Sequence, residues 1–362
     1  MTAYDTVYPA DSLEFCPSEN ALDIFVCGTY KLEDVDKTTT AQQMINHQSR
    51  RGQCLIFQVV APNEQDPLSW LGSRLFRQIQ AIDLPGVLDM KWCHRQDAGN
   101  PTLAIADSEG NVALYEWNTQ ERILEKFNSI QCSTPDTLCL SLDWDSRRTS
   151  GTQLGNLAVS LSSGSICLVR PTAAASFQLV STWHAHDFEP WTVAWNYWNT
   201  NVIYSGGDDL KLKAWDIRQN CEQPIFVNKR FEAGVTSIQS HPLVEHLIAV
   251  GSYNDTVRLF DVRKPLVPVN EANVGGGAWR VKWHPSLNRK HDLLVACMHD
   301  GCKVIHFNQE DFSGDSSLSR RFDDHDSMAY GVDWSYGPNL ETGESIIGSC
   351  SFYDHKLQLW TA

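Results

Sequence analysis

Cys297 and Ser351 each stand three residues ahead of an aspartate, Asp300 and Asp354, and His299 and His355 flank those aspartates. A thiol or hydroxyl beside an imidazole is the minimum for covalent acyl transfer, which needs an activated nucleophile and a base within hydrogen-bond reach. Adjacency along the chain does not supply that reach, and for a cysteine alone a buried core position is the simpler reading. More imidazoles occur in WHAHDFEPW, residues 183–191, which carries His184, His186, Asp187 and Glu189. Two histidines in one loop supply only part of a metal's coordination shell, so no metal is expected. His186 reads either as a general base or as a packing residue that ties strands together.

Composition narrows the classes. The 44 acidic against 29 basic residues give a net charge of -15, which repels a phosphate backbone, so nucleic acid is not an expected ligand. The longest apolar runs, such as IFVC and LLVAC, fall far short of the roughly 18 residues that cross a bilayer. The start, MTAYDTVYPADSLEF, shows no basic segment followed by an apolar one, so a cytoplasmic protein is expected. The 11 cysteines are odd in number with no C-x-x-C, and read as reduced, buried small hydrophobes. No G-x-S-x-G, P-loop, G-x-G-x-x-G or H-E-x-x-H occurs, and no cofactor is expected.

The excess is in tryptophan, 13 residues, and its spacing defines the elements. Short apolar runs end in Trp at LDMKW (Trp92), LSLDW (Trp144), TVAW (Trp195), RVKW (Trp283) and GVDW (Trp334). With Ser240 of VTSIQSHP taking the Trp place, the intervals are roughly 43 to 52 residues, the size of a four-stranded propeller blade. After each run come two more strands joined by a Gly, Asn or Asp turn, as in VIYSGGDDLKLKAWDIR and LIAVGSYNDTVRLFDVR. WDIR and FDVR resemble the ends of WD repeats. The expectation is an all-β, single-domain, seven-bladed WD-repeat β-propeller over 1–362. Its blades fall at roughly 11–83, 86–128, 136–183, 191–229, 234–272, 278–321 and 329–361. The last blade lacks an outer strand, which residues 2–7 would supply, closing the ring and removing an exposed edge. Two insertions, Lys31 to Gly52 and Asp311 to Ser319, are expected to be mobile.

In such a propeller two positions per blade face one mouth of the central channel: four residues before the Trp of the inner strand, and just before the turn aspartate. Over blades two to seven the first row reads Leu88, Leu140, Trp191, Thr236, Trp279 and Tyr330. The second reads Ser108, Ser162, Asp208, Tyr253, His299 and Tyr353. Aromatic side chains can simply fill a channel. Gathered on one arc beside Asp208, they also suit a quaternary ammonium, which ring faces attract by about 0.5–2 kcal/mol per contact. A methylated amine or a basic peptide is the expected ligand.

The segments LDMKWCH, WHAHDFEPW, YSGGDD, GSYND, GGGAWRVKWHP, ACMHDG, YGVDW and CSFYDHKLQLW together resemble the diphthine methylesterase family of WD-repeat proteins. The resemblance implies hydrolysis of the methyl ester of methylated diphthine on elongation factor 2. That substrate carries a trimethylammonium group, for which Trp191, Asp208, Tyr253, Trp279, Tyr330 and Tyr353 are the expected binding residues. For the chemistry, Ser351, Cys297 or a water would attack, with His299 or His186 as base, and turn N–H groups near Gly301 or Gly276 would hold the oxyanion. A rival reading is a non-catalytic scaffold, because WDIR and FDVR resemble the motif by which WD-repeat receptors dock onto a cullin ligase adaptor, here through Arg218 and Arg263. Local pairing of those arginines with Asp216 and Asp261 is the simpler account.

Overall fold

The five recurrent runs ending in Trp, with two more ending in Phe15 and Ser240, form the inner strands of seven four-stranded antiparallel sheets: Ala10–Phe15, Val87–Trp92, Cys139–Trp144, Thr192–Trp195, Val235–Ser240, Arg280–Trp283 and Ala329–Trp334. The structure, a computed structural model, describes residues 3–33, 49–60, 76–95, 99–148, 154–172 and 176–362. Each inner strand abuts the next, and the last abuts the first, so the sheets close as blades around a channel. Among the described residues no helix is long and apolar enough to cross a membrane.

Four of the five inner-strand tryptophans staple their blade to the one before, Trp92 through Glu14 O at 3.3 Å among them, while Trp283 Nε1 is buried without an acceptor. Trp144 Nε1 donates to Lys91 O (2.9 Å), Trp195 Nε1 to Asp143 O (3.0 Å) and Trp334 Nε1 to Lys282 O (2.9 Å). In each case the acceptor is the residue just before the preceding blade's Trp. Ser240, in the Trp place of blade five, makes the same kind of tie with Oγ to Trp195 O (2.7 Å). Burial of these indoles with their donors satisfied is what makes large polar-tipped rings usable in a core.

Tyr4–Asp5 pairs with the final strand, Lys356–Thr361, in the register Tyr4 to Leu357 and Asp5 to Lys356, so the N-terminus supplies the outer strand of blade seven. The Tyr4 ring then packs edge-on against Phe57 of blade one at 5.0 Å, clasping first blade to last.

Two expectations about loops need correction. Asp311 to Ser319 is not a mobile insertion: Phe312 is buried against Trp283 (5.7 Å) and His291 (4.7 Å), and Ser316–Phe322 is the outer strand of blade six. One aromatic anchor outweighs the polar composition around it. Of Lys31 to Gly52, both ends lie in strands, Ile24–Leu32 and Arg50–Val59, while 34–48 fall outside the described residues.

A register irregularity recurs at the entrance of the inner strands, between Ala10 and Ser12, Val87 and Asp89, Cys139 and Ser141, Val235 and Ser237, and Ala329 and Gly331. The residues set off by it are Asp11, Leu88, Leu140, Thr236 and Tyr330. A bulge re-aims a side chain out of the sheet's alternation. Here it sets off one residue in each of these five blades.

Candidate active site at the channel mouth

The aromatic residues expected from blades four to seven meet. Trp279 is their hub, with ring centroids 5.7 Å from Trp191, 5.9 Å from Tyr253 and 4.9 Å from Tyr330. Two rings that sequence reasoning missed extend the wall: Phe352 lies 5.4 Å from Tyr330, and Tyr30 lies 5.0 Å from Phe352. Tyr353 corrects an expectation. It is 67% exposed, edge-on to Phe352 at 4.9 Å, and stands on the rim. The turn SCSFYD of blade seven is one residue longer than SGGDD of blade four, so Phe352 takes the place assigned to Tyr353.

Small residues let the turns crowd this wall. Asp208 Oδ1 and the Tyr253 ring both occupy the space a Cβ on Gly234 would need, which brings carboxylate and ring side by side. Gly277 lies against Met298 Sδ and the Tyr253 backbone, so the triple-glycine turn shapes the approach to Trp279. Burial pushes the Asp208 carboxyl above its usual range, opposed by the nearby Trp191 indole. That indole completes no hydrogen bond: the Nε1 atoms of Trp191 and Trp279 are both buried and unpartnered. Both N–H groups are enclosed in the wall, Trp191 turned toward the Asp208 carboxyl.

Blade one contributes a carboxylate. Asp11 stands four residues before Phe15, which holds the Trp place of its inner strand, and counting back from Phe15 finds it in the sequence. It is 4% exposed, and burial pushes its pKa up to about 7 against the pull of Arg280. Its charge bears on the hydroxyls of Tyr30, Tyr253 and Tyr330, each of which is raised chiefly by burial. A carboxylate poised near neutrality beside an aromatic cup has the character of a general base.

Below the mouth the channel is filled. Glu14 bridges Lys282 (2.6 Å) and Lys91 (2.9 Å), and Asp89 meets Lys91 (2.6 Å) and Arg280 (3.2 Å). Burial would raise Asp89, yet these two cations hold it at about 2. The space left in this belt is about 30 Å³. A ligand at the aromatic mouth therefore meets a closed floor.

The expected nucleophiles and one expected base are sealed inside blades. His186 is buried with both ring nitrogens engaged, Nδ1 with Asp209 Oδ1 (2.7 Å) and Nε2 with Ser205 Oγ (2.7 Å), to which Trp215 Nε1 also donates (2.9 Å). Blade seven repeats this wiring through Trp360, Ser349 and His325. His325 Nδ1 meets Ser351 Oγ at 2.9 Å, and Ser351 donates to Asp354. The serine, imidazole and carboxylate do come together, but Ser351 is 0% exposed and burial holds His325 at about 4. The array is a scaffold brace, and Ser351 and His186 lose the roles assigned to them. Cys297 is 0% exposed, and burial pushes its thiol up to about 12, so it is not a thiolate at neutral pH. All 11 cysteines are free and buried. His299 differs from these in being exposed on the blade-six turn beside the wall.

Arg218 and Arg263 each fold back on their own strand, Nη2 to Asp216 Oδ2 and to Asp261 Oδ2 at 2.6 Å. That local pairing needs no docking partner.

Residues 177–216 match the family described as WD domain, G-beta repeat. Over the whole length the chain is similar to a "Diphthine methyltransferase homolog" of Dictyostelium discoideum, 36% identical across 98% of this chain and 96% of that one. It is also similar to "Diphthine methyltransferase" of Mus musculus, 36% identical across 93% of this chain and 69% of that one. The protein of the same name from Schizosaccharomyces pombe is 30% identical across 98% and 95%. Among solved structures, a chain of "Crystal Structure of Mitotic Checkpoint Complex" superposes with a TM-score of 0.68 at 15% identity, covering 100% of this chain and 93% of that one, a likeness of fold alone.

Proposed function

This chain belongs to the family of proteins named diphthine methyltransferase, and from that membership we propose that it acts in diphthamide synthesis as a carboxylic ester hydrolase. Its substrate in this reading is the methyl ester of methylated diphthine on elongation factor 2, in the cytoplasm. The observation that carries the proposal is the wall of Trp191, Tyr253, Trp279 and Tyr330 with Asp208 at its edge and the buried Asp11 near enough for its charge to bear on Tyr253 and Tyr330. Ring faces and carboxylates hold a trimethylammonium, whose charge they match without a hydrogen-bond donor on the guest.

With the ammonium in the cup, Asp11 takes a proton from water as the water oxygen attacks the ester carbonyl carbon. Collapse breaks the bond to methoxide, which recovers the proton and leaves as methanol, freeing the carboxylate. His299, exposed on the rim, contacts the protein substrate in this scheme, as do Phe188, 61% exposed on the loop ahead of Trp191, and Tyr353.

A transferase would need a methyl donor, whereas a hydrolase needs only water. Purified protein is mixed with methyl-esterified elongation factor 2 and no donor. Appearance of methanol supports hydrolysis. Methyl incorporation that depends on an added donor, without methanol, overturns it.

A further inference from the structure

At the other end of the channel, past the ion-pair belt, the chain builds a second cavity of about 380 Å³. Its walls come from residues that follow the inner strands: His94 two after Trp92, Arg147 and Arg148 after Trp144, Pro242 after Ser240, Pro285 after Trp283 and Tyr336 after Trp334. The aromatic mouth is built from residues that precede those strands, so the two lie at opposite ends.

The chemistry of this cavity is the reverse of the protein's. Acidic residues outnumber basic ones 44 to 29, yet among the described residues no Asp or Glu lines it. Arg147 is held between the rings of Tyr197 and Tyr336, each 5.7 Å away, and its Nη1 donates to His94 Nε2 at 2.6 Å. His94 is neutral there, since burial, with Arg147 and Lys282 adding to it, holds its pKa well down. Arg148 lies flat on Trp198, 3.4 Å from the ring centroid, with Nη1 on Pro242 O at 2.6 Å. Of the carboxylates whose charge bears on Arg147, Asp333 already answers Lys282 at 3.5 Å inside the channel, and Asp143 accepts from the Trp144 and Trp195 backbone. Two consecutive guanidinia are thus fixed by aromatic faces, a neutral imidazole and a carbonyl, with no carboxylate paired to either among the described residues. Arginine forks held this way match the oxygens of a phosphoryl group.

We propose that this second mouth is a binding site for a phosphoryl oxyanion, either inorganic phosphate or a small phosphate monoester, whose oxygens bridge Arg147 and Arg148. The volume exceeds that of phosphate alone and leaves room for an organic substituent against the proline-lined wall.

Calorimetric titration at low ionic strength, with inorganic phosphate, glycerol phosphate and succinate as probes, tests this. Saturable phosphate binding that weakens at least about tenfold in Arg148→Gln and stays unchanged in Arg218→Gln supports the site. Arg148 is exposed, so its variant folds even if Arg147→Gln does not. Tighter binding of glycerol phosphate than of phosphate identifies a monoester as the natural source, and equal binding identifies the free ion. No saturable binding, equal loss in Arg218→Gln, or a preference for succinate overturns the proposal.

Discussion

The Trp279 and Tyr330 rings lie 4.9 Å apart with their planes 32° from parallel, although they come from different blades. The contact exists because both residues occupy the same place in the repeat, ahead of the inner strand, where neighbouring blades converge. Trp191 joins from that same place in blade four, and Tyr253 reaches Trp279 from the turn between the second and third strands of blade five. The aromatic cup is thus a product of repeat register.

Trp279→Ala removes the hub of that cup. At about 0.5–2 kcal/mol for the lost ring contact, affinity for tetramethylammonium falls by about 2- to 30-fold, while Trp279→Phe loses less. NMR titration of the three proteins measures it. Equal affinity across them would mean that the rings are packing only.

Ser351→Ala and Cys297→Ala keep ester turnover when the assay is normalised to folded protein. Ser351→Ala lowers stability by about 1–3 kcal/mol because it strips the partner shared by His325 and Asp354. A dead Ser351→Ala variant with unchanged melting behaviour would restore the serine as nucleophile.

His186→Ala behaves likewise, costing about 1–3 kcal/mol in denaturant unfolding, since Asp209 and Ser205 both lose their partner. Its kcat in the cold stays within about twofold of wild type. Loss of kcat without loss of stability would contradict the bracing role.

The pKa of Asp11, up to about 7, sets two opposite pH trends. As a base it works when ionised, so kcat/KM climbs as pH rises through about 7. For stability the folded value lies above an unfolded value of about 3.9. Its contribution is therefore complete below about pH 4 and is lost as pH rises to about 7. Arg280, Asp89 and Lys91 also bear on it, and the buried Asp143 and Asp333 are raised as well. Asp11→Asn isolates the effect, because the difference between variant and wild-type stability should change over that window. A flat difference would assign Asp11 an ordinary pKa.

Much of the scaffold is readable in the residues, because the Trp that ends the inner strand recurs in five of the seven blades, usually to staple to a preceding carbonyl. Ser240 was found as a substitute for the same reason, and the N-terminal outer strand from the missing partner of KLQLW. The cup is legible from the residues four before each Trp place together with those just before the turn aspartate, and the same count from Phe15 reaches Asp11. Phe352 was hidden by a one-residue insertion that shifts the turn, which spacing does not reveal. Ser351, His186 and Cys297 misled because a serine, imidazole or thiol looks the same in sequence whether it is solvated or sealed. Burial and the second partner on each ring nitrogen decided against them.

The most direct test compares initial rates of methanol release from methyl-esterified elongation factor 2 at pH 8 by wild type and by Asp11→Asn. The amide mimics the protonated carboxyl, so the variant should fold. Wild type is expected to release one methanol per ester, and the variant to run about 10²-fold slower or worse, as loss of a general base implies. Equal rates, or no methanol from wild type, would contradict hydrolysis at this mouth.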